Sequence, residues 1–264
     1  MSKKKISLVS RRRDINSYKK SLVINKNPEP SILIATPIWR RPDIFKIFVK
    51  NNKKYGDILA VGSEGARSRA LAEKLGCKYI ESPNKPLGKK LNCRSRYFLE
   101  NKKYTHMILL GSDDIISENI FNAIKLNCNK YDLISWSDLY FYDINKDTGY
   151  YCSGYKNHRS GEPMAPGRCL SRRLVKKMGP DLWPNNLAIH PDGPLWRNKL
   201  SRESRATVLS CKKVGGYIVD IKSDTNISTL DDMKRTTSLE ALSTKERSYI
   251  RKMIGLDKSA GKGA

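Results

Sequence analysis

Thr105-His106-Met107-Ile108-Leu109-Leu110-Gly111-Ser112-Asp113-Asp114 is a short apolar run closed by Gly-Ser and two adjacent carboxylates. A run of this length, bounded by a turn signal, reads as a strand buried on both faces. In an open parallel sheet, ligands lie beyond the carboxyl ends of the strands, which is where Asp113 and Asp114 fall. Two neighbouring carboxylates repel unless a cation or several donors compensate them, and hard divalent cations take oxygen ligands. The pair has two readings: a cation site, or caps for the helix that opens at Ser117-Glu118.

Upstream, Ser31 to Thr36 reads as the first strand, ending at Thr36-Pro37. Arg41-Pro42-Asp43 opens a helix to about Tyr55, with Pro42 in its first turn. Asp57 to Gly62 is the second strand, and a helix from Ala66 to Leu75 is stopped by Gly76. Cys77 to Glu81 is the third strand, and a helix follows from Lys89 to about Lys102. Strands alternating with such helices predict βαβ units, a mostly parallel sheet and right-handed crossovers. No Gly-x-Gly-x-x-Gly follows the first strand and no Gly-x-x-x-x-Gly-Lys-Ser/Thr occurs, which argues against a dinucleotide fold and a P-loop ATPase.

Downstream, Glu118 to Lys130 is an amphipathic helix. From Asp132 short aromatic strands take over: Leu133 to Trp136, Leu139 to Tyr142, and Tyr150-Tyr151 beyond the turn at Asp147-Thr148-Gly149. Gly161 to Gly167 reads as a loop and Leu170 to Met178 as a helix. His190-Pro191-Asp192-Gly193-Pro194 leads another helix, Val214 to Ile221 is a strand, and Ser243 to Ile254 is the last helix. Residues 1–30, with Lys3-Lys4-Lys5 and Arg11-Arg12-Arg13, form a basic arm, and residues 257–264 a tail expected to be disordered.

The charge is the strongest compositional signal: 51 Lys plus Arg against 26 Asp plus Glu, a formal net charge of +25. Such a surplus implies polyanionic company: nucleic acid, an anionic membrane surface or a phosphorylated substrate. No run approaches the roughly 18 apolar residues of a membrane span, and the N-terminus has no apolar signal core, so a cytoplasmic protein is expected. Six widely spaced cysteines without a Cys-x-x-Cys pair point to reduced thiols, and away from structural zinc or a disulfide framework.

Four features in order, over roughly residues 31–200, resemble the nucleotide-sugar-binding half of a GT-A glycosyltransferase, most like family 2. They are Thr36-Pro37-Ile38-Trp39-Arg40-Arg41-Pro42, Ser63-Glu64-Gly65, Asn84 to Asn92 with Leu87-Gly88-Lys89, and Ser112-Asp113-Asp114. The resemblance implies a Rossmann-like α/β sheet with helices on both faces. Residues 31–130 would be the nucleotide-sugar-binding half, and residues 131–256 an aromatic-rich acceptor-binding half of the same domain. It further implies a nucleotide-sugar donor, a UDP-sugar being favoured, and a divalent cation, Mn2+ or Mg2+. Asp114 would be the direct metal ligand and Asp113 would face the ribose or the metal shell. Ser112 departs from the family pattern, which has an Asp there.

By the same resemblance Thr36, Pro37 and Arg40 line the nucleotide pocket, and Glu64 accepts the imide proton of uracil. Glu64 also suits a plain helix-start carboxylate. Lys89 and Asn92 open a helix whose N-terminus suits phosphate or base. Lys222 and Asn226 could close over the diphosphate. Asp192 best suits the general base of an inverting transfer, with Asp181 second; its other reading is a helix cap. His190 is either a metal ligand or a loop histidine.

A glycosyltransferase is the leading expectation. The charge favours nucleic acid as acceptor, a hydroxymethylated base in DNA as in phage-type DNA-modifying enzymes. The alternatives are a transferase of lipopolysaccharide or capsule synthesis, a non-catalytic nucleic-acid-binding protein on the same scaffold, and a nucleotidyltransferase, although the Gly-rich loop usual for the last is missing.

Overall fold

The computed structural model describes residues 29–188, 191–226 and 229–256. The basic arm up to residue 28, His190 and the tail from 257 lie outside the described residues. The first half alternates as expected: β1 (Ile32–Pro37), α1 (Pro42–Asn52), β2 (Asp57–Gly62), α2 (Ala66–Lys74), β3 (Lys78–Glu81), α3 (Leu87–Glu100) and β4 (His106–Leu109). Then come β5 (Asp114–Ile116), α4 (Glu118–Asn127), β6 (Leu133–Trp136), β7 (Leu139–Asp143), β8 (Thr148–Tyr155), β9 (Met164–Ser171) and α5 (Arg172–Met178). The chain closes with α6 (Asp192–Asn198), β10 (Ala206–Leu209), β11 (Ile218–Lys222), α7 (Leu230–Thr236), β12 (Thr237–Ala241) and α8 (Thr244–Ile254).

The main sheet has the order β10-β6-β9-β4-β1-β2-β3 and is parallel except at both ladders of β9. Period-two alternation buries both of its faces, as the opening run predicts. Ile34 and Ile108 face one core, while Leu33, Ala35, Met107 and Leu109 face the other. Each such side chain contributes about 1.5–3 kcal/mol relative to exposure. A second sheet, β12-β8-β7-β11-β5, takes the aromatic strands β7 and β8, while β6 joins the main sheet.

Two stretches depart from the sequence reading. Residues 164–167 were expected in a loop and Leu170-Ser171 in a helix, yet all belong to β9. Its Pro and Gly disfavour a strand locally, but ladders to β4 and β6 on either side override that preference and bury Cys169 and Leu170. The register slips between Ile134 and Trp136, where Gly167 takes φ 79° and its carbonyl accepts the Trp136 indole N–H at 3.0 Å. Asp114, expected beyond the end of β4, begins a separate strand of the second sheet with Ile115 and Ile116. The buried Asn52 side chain holds that strand like a ladder partner: Nδ2 donates to the Asp114 carbonyl at 2.9 Å and Oδ1 accepts the Ile116 N–H at 3.1 Å.

Candidate functional site

The chain leaves β4 at Leu109, turns at Gly111 and enters β5 at Asp114, so Ser112 and Asp113 stand at the switch from one sheet to the other. A Cβ on Gly111 would come within 2.6 Å of Asp113 Oδ1 and 3.0 Å of Asp114 Oδ2, so any larger residue there would push on the carboxylates. Arg41, just before α1, reaches across: Nη1 donates to Asp113 Oδ2 at 2.6 Å and Nη2 to Ser112 Oγ at 3.0 Å. Asn226 donates to the same Asp113 oxygen at 2.7 Å.

Antiparallel pairing of β5 with β11 sets Asp220 opposite Asp114 and brings in Lys222, whose Nζ is 2.8 Å from Asp220 Oδ2. Asp114 is buried, and its Oδ2 accepts the Gly111 N–H at 2.5 Å. Burial, with repulsion from Asp220 and then Asp113, pushes its carboxyl well above the usual carboxylate range. Burial likewise raises Asp220 to about 6. Among the described residues, no three carboxylate, imidazole or thiol groups converge to hold a metal ion.

Beside this network a cavity of about 220 Å³ is lined by Trp39, Arg40, Arg41, Glu64, Arg67 and Ser112, over the apolar side chains of Ile38, Phe45 and Leu71. Glu64 closes one end. Its Oε2 accepts the Arg40 N–H at 2.8 Å and the Ser68 hydroxyl at 3.2 Å. Arg40 sits at φ 53° and lays its guanidinium over the Trp39 ring, 4.6 Å from the centroid. Beneath the cavity Lys90 is buried; its Nζ donates to Ile38 O at 2.8 Å, Asn84 Oδ1 at 3.0 Å and Ser63 Oγ at 3.1 Å. Lys90 thereby ties together the loops that follow β1, β2 and β3. Burial lowers its pKa to about 8.

Of the nucleotide-side residues expected from the sequence, Arg40 and Glu64 line the cavity, and Asp113 and Lys222 belong to the adjoining charge network. Thr36 does not reach it, because its side chain is buried within the sheet, and Pro37 is paired with Val61 in the ladder to β2. Lys89 lies on the exposed face of α3. Asn92 is turned into the protein, where Nδ2 donates to Trp183 O at 2.8 Å and Oδ1 accepts the Trp183 N–H at 3.0 Å. Lys90 and Asp220 have no place in the sequence reading, and Arg41 enters it only within the Thr36 to Pro42 motif. Helical spacing held the signal for Lys90, three residues after Leu87 and eight before Phe98 on the buried stripe. For Asp220 it was a carboxylate inside the apolar run Ile218 to Ile221.

Asp192 opens α6, following Pro191 rather than capping the helix itself. Two buried arginines lie near its charge, and both donate to carbonyls. Arg94 bonds Leu91 O at 3.2 Å and Ala35 O at 3.5 Å, stacked 4.7 Å over Trp183. Arg168 bonds Pro163 O at 2.9 Å, Met164 O at 3.2 Å and the Asp192 carbonyl at 3.5 Å. Burial lowers the pKa of both, and Asp192 opposes that shift. Asp181, the second expected base, is instead clamped by Arg96 Nη2 at 2.6 Å and Nε at 2.9 Å.

No family model and no curated protein matches the sequence. Solved structures do match. S. aureus TarS 1-349 superposes with TM-score 0.52 at 15% identity, covering 72% of this chain and 60% of that one. Its complex with UDP-GlcNAc gives 0.51 at 15% identity, over 86% and 66%. The inositol-1-phosphate CTP transferase from T. maritima gives 0.52 at 9% identity, over 86% and 97%. The chain thus spans 60% of the TarS 1-349 chain it resembles. Together with the sheet order, these likenesses establish the fold: a Rossmann-like, mostly parallel α/β sheet of the GT-A type. No helix of the described residues is long and apolar enough to cross a membrane.

Proposed function

We propose that this chain is a glycosyltransferase that moves a sugar from a nucleotide sugar, most favourably a UDP-sugar, to a hydroxyl group. One observation carries the reading. A cavity beyond the carboxyl ends of β1, β2 and β4 is lined by the Glu64 carboxylate and by Arg40, Arg41, Arg67 and Ser112, with Asp113 bonded to Arg41 beside it. Glu64 is suited to accept the N–H of a uracil ring, and the arginine end to meet the diphosphate. The UDP-GlcNAc bound by the TarS neighbour is the same class of ligand.

In the proposed reaction the Asp192 carboxylate takes the acceptor proton as its oxygen forms a bond to the anomeric carbon. The bond from that carbon to the diphosphate oxygen breaks, and its electron pair leaves with the nucleoside diphosphate. Attack from the face opposite the leaving group inverts the anomeric centre. Residues 31–130 hold most of the donor, with Lys222 and Asn226 reaching in from residues 131–256, which hold most of the acceptor. The divalent cation implied by the resemblance, on Asp114 and His190, does not fit the described donors. Asp113 Oδ2 is taken by Arg41 and Asn226, Asp114 Oδ2 by the Gly111 amide, and among the described residues no three carboxylate, imidazole or thiol groups converge to hold the ion. The net charge of +25 supports a polyanionic acceptor, a hydroxymethylated base in DNA being favoured.

Incubation with a panel of labelled nucleotide sugars and modified or unmodified DNA, read by mass spectrometry, tests the reading. One sugar mass added to hydroxymethylated DNA supports it; no transfer to DNA from any donor removes the acceptor assignment. A second reading, nucleotidyl transfer, draws on the match over 97% of the T. maritima enzyme. Release of pyrophosphate from a nucleoside triphosphate in place of sugar transfer would favour it.

A further inference from the structure

At the arginine end of the cavity, positive charge is supplied by side chains already held in place. Arg41 is 14% exposed, and its guanidinium plane is set by two bonds, to Asp113 Oδ2 and Ser112 Oγ. Arg40 and Arg67 border the same cavity. A divalent cation at this strand end would need carboxylate oxygens free of competing donors. One oxygen of each carboxylate is already engaged, Asp113 Oδ2 by Arg41 and Asn226, Asp114 Oδ2 by the Gly111 N–H and Asp220 Oδ2 by Lys222; Asp220 Oδ1 is buried without a partner, but among the described residues no three carboxylate, imidazole or thiol groups converge to hold a metal ion.

We propose that Arg41, with Arg40 and Arg67 along the same wall, receives the donor's diphosphate directly, so that this chain binds a nucleoside diphosphate without a divalent cation. The inference rests on the nucleotide-sugar reading of the cavity. A guanidinium suits the task because its planar fork matches two phosphate oxygens and keeps its charge at any working pH. Asp113 and Ser112 are positioning residues, holding the fork at the cavity wall until phosphate oxygens replace the carboxylate as its acceptor. Asp113 thus competes with the ligand for Arg41, whereas a metal-bridging Asp113 would assist it. The two arrangements give opposite signs for the same substitution.

The test is calorimetric titration of UDP, CDP, GDP and ADP into the full chain after EDTA treatment, repeated with Mn2+. At least one is expected to bind with an affinity that changes by less than about threefold between the two conditions. Asp113→Asn, close in shape but without the competing charge, is expected to bind as tightly or more tightly. Arg41→Met is expected to weaken binding by about tenfold or more while leaving the parent nucleoside unaffected, and Arg41→Lys to recover part of the loss. Because Arg41→Met strands the Asp113 carboxylate, the double variant Arg41→Met/Asp113→Asn gives the same readout without it, with circular dichroism as the check on folding. Binding that vanishes in EDTA and returns with Mn2+, or that is lost in Asp113→Asn, overturns the proposal and leaves the nucleotide reading standing. Failure of all four nucleotides in both conditions overturns both.

Discussion

The two ends of the proposed reaction centre handle buried charge in opposite ways. On the donor side, Arg41, Asp113, Asn226, Asp220 and Lys222 are bonded side chain to side chain across β5, β11 and the loops beside them. On the acceptor side, Arg94 and Arg168 bond main-chain carbonyls, and among the described residues no hydrogen bond reaches the Asp192 carboxylate. A carboxylate bound by an arginine fork is a poor base, because protonation must first break the pair. The contrast agrees with the proposed division of labour, in which the first group positions and Asp192 is the base.

The largest effect should come from removing the open carboxylate. Asp192→Asn is expected to lower single-turnover sugar transfer by about 10²–10⁴-fold while nucleotide binding is preserved, since the acid–base step alone is lost. Unchanged transfer would erase the distinction between the two ends. Next, Arg168→Leu strips the carbonyls of Pro163 and Met164 of their buried donor, and urea unfolding should show a loss of about 2–4 kcal/mol.

Lys90 adds a pH signature on the donor side. Its folded pKa of about 8 lies below the ordinary 10.5, so the unfolded chain binds more protons between those values. Its contribution to stability should therefore rise as pH climbs from about 8 to 10.5. The melting temperature of Lys90→Met, lower overall, should lack that rise relative to the parent protein.

Glu64→Gln keeps an acceptor for the Arg40 amide and loses only the charge. Any preference for UDP over CDP should fall by about tenfold in competition binding. The smallest effect belongs to Asp114→Asn. With burial raising the carboxyl's pKa well above the usual range and so disfavouring its charge, the uncharged amide should accept the Gly111 N–H in its place and leave the melting temperature within a few degrees. A large loss of nucleotide binding in that variant would restore the metal assignment.

Much of this was readable from residue order. Alternating apolar runs and helix signals placed β1 through β4 with α1 to α3, because those elements are specified by periods of 2 and 3.6 and by local caps. Asp113 was found because turns after parallel strands point toward ligands, and Arg40 and Glu64 through the resemblance to GT-A glycosyltransferases. The neighbours of each charge were not readable. Nothing local in Met164 to Ser171 announces a strand, and nothing near Asp114 announces Asp220, which lies more than a hundred residues away and meets it through one antiparallel ladder. Residue periodicity specifies which face of an element is buried. Which carboxylate is bound by an arginine and which stays open depends on long-range pairing, whose energy resides in contacts between distant segments.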